Sequence, residues 1–85
     1  MWQVYILFSC TTKRTYVGCT GDLGKRLKCH NLGMVKSTKF GIPWEIMYTE
    51  DHSTYLEVNR REKYFKNGAG RRKIKEIYKE YTKNM

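Results

Sequence analysis

The sequence predicts a small α/β (α+β) domain: a three-stranded antiparallel sheet flanked by about three helices, in the order β-β-α-β-α-α. Three observations carry that expectation. Apolar and polar side chains alternate around residues 3–6 and 16–18, with a short polar connector from Cys10 to Arg14 between them. The two-residue period returns at residues 44–49, and three further stretches place apolar residues at three- and four-residue spacing. With 85 residues the chain makes one domain, 1–85, whose core is a single layer between sheet and helices.

In the first strand Trp2, Val4, Ile6 and Phe8 alternate with Gln3, Tyr5, Leu7 and Ser9, so Tyr5 points away from the more apolar face. A hairpin loop of two or four residues centred on Thr12 and Lys13 sets Ser9 opposite Tyr16. That register gathers Val4, Ile6 and Phe8 with Val17 and Cys19 on one face, and Tyr5, Leu7 and Ser9 with Tyr16 and Gly18 on the other. An odd loop separates the tyrosines but splits the apolar set, which favours the even one.

Thr20-Gly21-Asp22 is a turn with Asp22 as N-cap of a helix over residues 23–30, ended by Asn31 and Gly33. At about 100 degrees per residue, Leu23 and Leu27 share a buried stripe that Arg26 and His30 border. A lone arginine or histidine at such a margin is more often a solvated or ordinary packing residue than a functional one. Residues 33–43 show no period, and Lys36 and Lys39 place an exposed basic loop there, either a phosphate contact or a solvated connector.

Trp44, Ile46 and Tyr48 form one face of a third strand, and the chain turns at residues 51–54. Thr54-Tyr55-Leu56-Glu57 fits a capping box that opens a helix to about Asn67. Tyr55, Val58, Glu62 and Phe65 recur at helical spacing, which sets Glu62 within the apolar stripe, to be paired with a basic side chain such as Arg26, to bind a cation or to be protonated. The alternative places Glu62 at the stripe's margin, paired with Lys63 or Lys66 in water. Gly68 is the expected C-cap, and Ile74, Ile77, Tyr78 and Tyr81 form the packing face of a last helix that exposes Arg71, Arg72, Lys73, Lys75, Lys79 and Lys83.

Lysine and arginine total 17 against 8 acidic residues, a net charge of +9 that is heaviest after Arg60 and favours a polyanionic partner. No apolar stretch approaches the roughly 20 residues of a membrane span, and no signal peptide is visible, so the expectation is a soluble, cytoplasmic protein with no membrane partner. Three cysteines without a CxxC pair argue against a disulfide framework and a zinc ribbon. Cys19 is expected to pack as a small apolar residue. Cys29 and His30 diverge by about 100 degrees on a helix and make no zinc pair.

Taken in order, Val4-Tyr5-Ile6-Leu7, Tyr16-Val17-Gly18, Asp22-Leu23, Arg26-Leu27-x-x-His30-Asn31, Lys36-Ser37-Thr38, Pro43-Trp44-Glu45 and Arg61-Glu62-Lys63 resemble the GIY-YIG nuclease family, in particular its small stand-alone bacterial members. The resemblance implies a metal-dependent endonuclease that hydrolyses DNA phosphodiester bonds to a 3′ hydroxyl and a 5′ phosphate. Tyr16 then acts as, or alongside, the general base, Tyr5 orients water or phosphate, Arg26 neutralises the scissile phosphate and His30 supports nucleophile activation. Glu62 holds one Mg²⁺ or Mn²⁺, and a single candidate carboxylate suits one ion better than two. Lys13, Lys36, Lys39, Arg71, Arg72 and Lys73 are the expected nucleic-acid contacts. The chain departs from the family pattern in three places: Gln3-Val4-Tyr5 lacks the leading glycine, Cys19 stands where repair members carry lysine, and Ile74 stands at a frequent asparagine position. The alternative is a non-catalytic or weakly catalytic module that binds DNA or RNA on the same fold, and a basic structural protein is a third reading. A domain of this size leaves sequence specificity low or supplied by a protein partner.

Overall fold

The computed structural model describes residues 1–83. The elements are β1 (Trp2–Ser9), β2 (Thr15–Thr20), α1 (Leu23–Asn31), a 3₁₀ helix (Lys36–Gly41), β3 (Trp44–His52), α2 (Tyr55–Phe65) and α3 (Gly68–Thr82). The strands form one antiparallel sheet in the order β2-β1-β3, which makes the first strand the central one. No helix among the described residues is long and apolar enough to cross a membrane.

The hairpin loop has the expected even length, four residues, but its centre is displaced. Leu7, not Ser9, faces Tyr16, and Tyr5 faces Gly18. The cause is local. Ser9 N–H donates to Arg14 O at 2.8 Å, Lys13 takes a left-handed φ of 64° and donates its N–H to Ser9 O at 3.0 Å, and Ser9 Oγ accepts from Thr12 N–H at 3.1 Å. A two-residue displacement keeps parity, so the face assignments are as expected. Val4, Ile6, Phe8 and Val17 join Met47, Val58 and Phe65 in one core layer, with Cys19 and the α3 residues Ile74, Ile77, Tyr78 and Tyr81 packed against it. Tyr5, Leu7 and Trp44 form the other layer with Tyr16, Leu23 and Leu27.

The third strand departs from simple alternation. A bulge falls between the partners of Ile6 and Leu7: Leu7 pairs with Ile46 but Ile6 with Tyr48. Met47 is the extra residue, so Trp44 and Ile46 face the tyrosine layer while Tyr48 faces the helical layer. The strand also runs on to His52, through the expected turn.

Asp22 caps α1 by accepting from Lys25 N–H at 3.1 Å, and Gly33, at φ 76°, closes its far end by donating to His30 O at 3.2 Å. The segment from Lys36 to Gly41 is a 3₁₀ helix with Thr38 and Gly41 buried, where the sequence showed only an exposed loop. Thr54 and Glu57 form the expected capping box of α2. Tyr55 leaves the stripe: it is 54% exposed, its ring against Trp2. Gly68 does not cap α2, because Asn67 accepts from Gly70 N–H at 3.1 Å and opens α3 at that point. Gly70 is buried there, with no room for a Cβ against the backbone of Tyr64 and Phe65.

Candidate functional site

The sheet register sets the Tyr5 and Tyr16 rings side by side, centroids 6.5 Å apart, in the layer opposite α2 and α3. Gly18 makes room for the phenol: a Cβ there would lie 2.5 Å from Tyr5 Oη. Leu23 and Leu27 hold α1 on this layer, and the helix then turns Arg26 and His30 inward. Asn31 fixes the helix to β3, accepting from Trp44 N–H at 2.7 Å and donating to Trp44 O at 3.0 Å.

This packing sets up a chain of hydrogen bonds. Arg26 Nε lies 3.4 Å from Tyr5 Oη, Tyr5 Oη lies 2.9 Å from His30 Nε2, and His30 Nδ1 lies 2.8 Å from Thr38 Oγ1. Thr38 donates its single hydroxyl proton to Val35 O at 3.3 Å, so it accepts from Nδ1–H, and Nε2 accepts from the Tyr5 hydroxyl. Arg26 in turn donates to the Tyr5 oxygen. His30 is fully buried, and burial together with the Arg26 charge lowers its pKa below the ordinary 6.5, in keeping with the neutral ring the chain requires. Burial raises the Tyr5 pKa above 10.0, against the opposing pull of Arg26, so Tyr5 is a phenol that donates inward. Tyr16 is half-buried and meets His30 and Trp44 edge-on at 5.2 and 6.4 Å. A cavity of about 180 Å³, lined by Thr20, Asp22, Lys25, Arg26 and Cys29, opens beside the guanidinium.

Glu62 does not join this wall. It rides on α2, across the sheet, with 18% of its side chain exposed and Lys66 Nζ 3.3 Å from its carboxylate. This is the marginal, lysine-paired placement, and Arg26 is not its partner. Cys19 lies between the two groups. Its thiol is pushed up to about 11, first by burial and then by a hydrogen bond with Glu62, while Lys66 and Arg26 pull the other way. Among the described residues no three His, Cys, Asp or Glu side chains come together as a metal site. One carboxylate already occupied by an ammonium group, with a thiol beside it, does not suit a hard cation that takes near-octahedral oxygen ligands.

The expected basic contacts scatter. Lys13 and Arg71 border hollows beside β2, Lys36 and Lys39 are exposed on the 3₁₀ helix, Arg72 is exposed on α3, and Lys73 sits 4.0 Å from Glu76. Sequence reasoning missed Thr38 and Trp44, which hold the site from behind, and the cluster around Glu50. That carboxylate accepts from Tyr48 Oη at 2.6 Å and Arg61 Nε at 2.6 Å and lies 3.0 Å from His52 Nε2. Burial would raise its pKa, but Arg61, Tyr48 and His52 together hold it below 4.5. Arg61 also covers the Tyr64 and Phe65 rings, so the cluster ties α2 to β3.

The family model described as GIY-YIG catalytic domain matches residues 1–75. The chain is 40% identical over 81 residues to the UPF0213 protein YazA of Bacillus subtilis, covering 94% of this chain and 80% of that one. A UPF0213 protein of Bacillus pumilus is 36% identical over 87% of this chain and 74% of its own length. One of Clostridium perfringens is 36% identical over 91% and 83%. No solved structure gives a significant match.

Proposed function

From the premise that this chain belongs to the GIY-YIG family, we propose that it is a nucleic-acid-binding domain that engages a phosphodiester at Arg26, in front of the buried Tyr5–His30 pair, and cleaves it weakly at most. The observation that carries this reading is the hydrogen-bonded chain from Arg26 through Tyr5 and His30 to Thr38. It holds the Arg26 guanidinium at the edge of one small cavity, backed by the buried Tyr5 phenol, on a protein of net charge +9. Arg26 supplies the phosphate-neutralising charge, Tyr16 is the phenol that positions a phosphate oxygen, and Tyr5, its proton held inward by His30, orients the guanidinium.

The second reading is a metal-dependent DNA endonuclease with Tyr16 as or alongside the base. It is favoured by the His30 Nε2 acceptor on Tyr5, which gives the paired phenols a place to pass a proton. The family generally uses a metal ion, but Glu62 is paired with Lys66 and among the described residues no cluster of ligands gathers around it, so no step is routed through an ion.

The two readings separate in one experiment. Supercoiled, branched and single-stranded DNA, and RNA, are incubated with Mg²⁺ or Mn²⁺, and binding is followed in parallel for wild type, Arg26→Ala and Glu62→Ala. Salt-sensitive binding that falls with Arg26→Ala, with cleavage at background, supports the binding domain. Cleavage abolished by both substitutions supports the endonuclease. Absence of binding to every substrate sinks both.

A further inference from the structure

We infer that the groove between the free edge of β2 and helix α3 is a track for single-stranded nucleic acid. Two hollows of about 440 and 430 Å³ share Thr15, Ile74 and Lys75 and so make one continuous depression. Its rim carries Lys13, Arg14, Arg71 and Lys75, with Lys66 beside them paired to Glu62, and among the described residues no carboxylate lines it. Ile74 and Tyr78 lie along it, and its inner end reaches Tyr16. The strand order leaves the outer edge of β2, whose Thr15 and Tyr16 line the groove, unpaired.

The chemistry selects the occupant. A row of cations without acids suits a partner carrying a regular line of negative charge. An apolar, aromatic surface between those cations rewards exposed base faces, which a single strand offers and a duplex hides in its stack. A peptide adding a strand to β2 would use the backbone edge but leave the cation row without a repeating counter-charge. The inference rests on the nucleic-acid-binding reading and adds to it the strandedness and the path: a strand held in the groove is led along β2 to Tyr16.

The test is fluorescence anisotropy of labelled oligo-dT of about 12 nucleotides, against a duplex of equal length, in EDTA so that cleavage plays no part. Wild type is compared with Arg14→Glu/Lys75→Glu and with Arg60→Glu/Lys63→Glu, the same charge change on α2 outside the groove; matching circular dichroism melts show that each is folded. The expected result is tighter binding of oligo-dT than of duplex, at least a tenfold loss in the groove variant, and a smaller loss in the α2 variant. With four phosphates neutralised, the logarithm of affinity falls against that of salt with a slope of about −3. Equal losses in the two variants, a preference for duplex, or displacement of oligo-dT by polyglutamate at equal charge overturns the inference and leaves nucleic-acid binding in place. No binding of either probe by wild type overturns the underlying reading as well.

Discussion

Thr38 shows how a residue without chemistry of its own sets the chemistry of the site. Its hydroxyl, committed to Val35 O, assigns the proton on His30 to Nδ1 and leaves Nε2 for Tyr5. Thr38→Val keeps the shape but strands Nδ1–H. A loss of about 1–3 kcal/mol in urea unfolding is expected, with a changed ¹⁵N tautomer signature for His30. The buried ring also fixes a pH response. The folded-state pKa of His30 lies below 6.5, so below that pH the unfolded chain binds the extra proton. The stability contribution is therefore full above about pH 6.5 and declines as pH falls through and below it. Melting temperature against pH should show this decline in wild type, and His30→Gln should flatten it. Tyr5, Tyr16, Arg26 and His30 were legible because strand parity and helix angle each fix a direction. Thr38 was not, since its loop carries no period. The spacing left two placements open for Glu62, and the one paired with Lys66 is found: periodicity tells which side of α2 faces the sheet, but not which face of the sheet α2 covers.

At the scale of elements, the junction of α2 and α3 holds the tightest backbone approach and tests whether caps or contacts position α3. Asn67→Ala removes one capping hydrogen bond and should cost about 1 kcal/mol. Gly70→Ala pushes a methyl into the backbone of Tyr64 and Phe65 and should cost more, about 2–4 kcal/mol, because neither chain can give way without separating the helices. Denaturant midpoints of the two variants decide the order, and a smaller effect for Gly70→Ala contradicts the packing described. Six of the seven elements were visible in the sequence as alternation, caps and helical stripes. The exceptions have physical causes: the 3₁₀ helix has too few residues to show a period, and the Met47 bulge changes faces in mid-strand, which alternation alone reads as one continuous face.

Across the whole molecule, charge and topology divide the work. The positive excess gives reach toward polyanions, and the sheet order decides where contact leads. The central position of β1 bears on time as well as shape. Every residue from Val4 to Ser9 is buried, and the strand is paired on both sides, so its amides open to solvent only when the domain unfolds as a unit. Native-state hydrogen exchange should place the Tyr5 amide among the slowest, with an opening free energy equal to the global one, while Tyr16 on the outer strand exchanges sooner. The two phenols, neighbours in space, then differ in kinetic persistence: one is anchored for the lifetime of the fold, and the other belongs to a margin that can breathe.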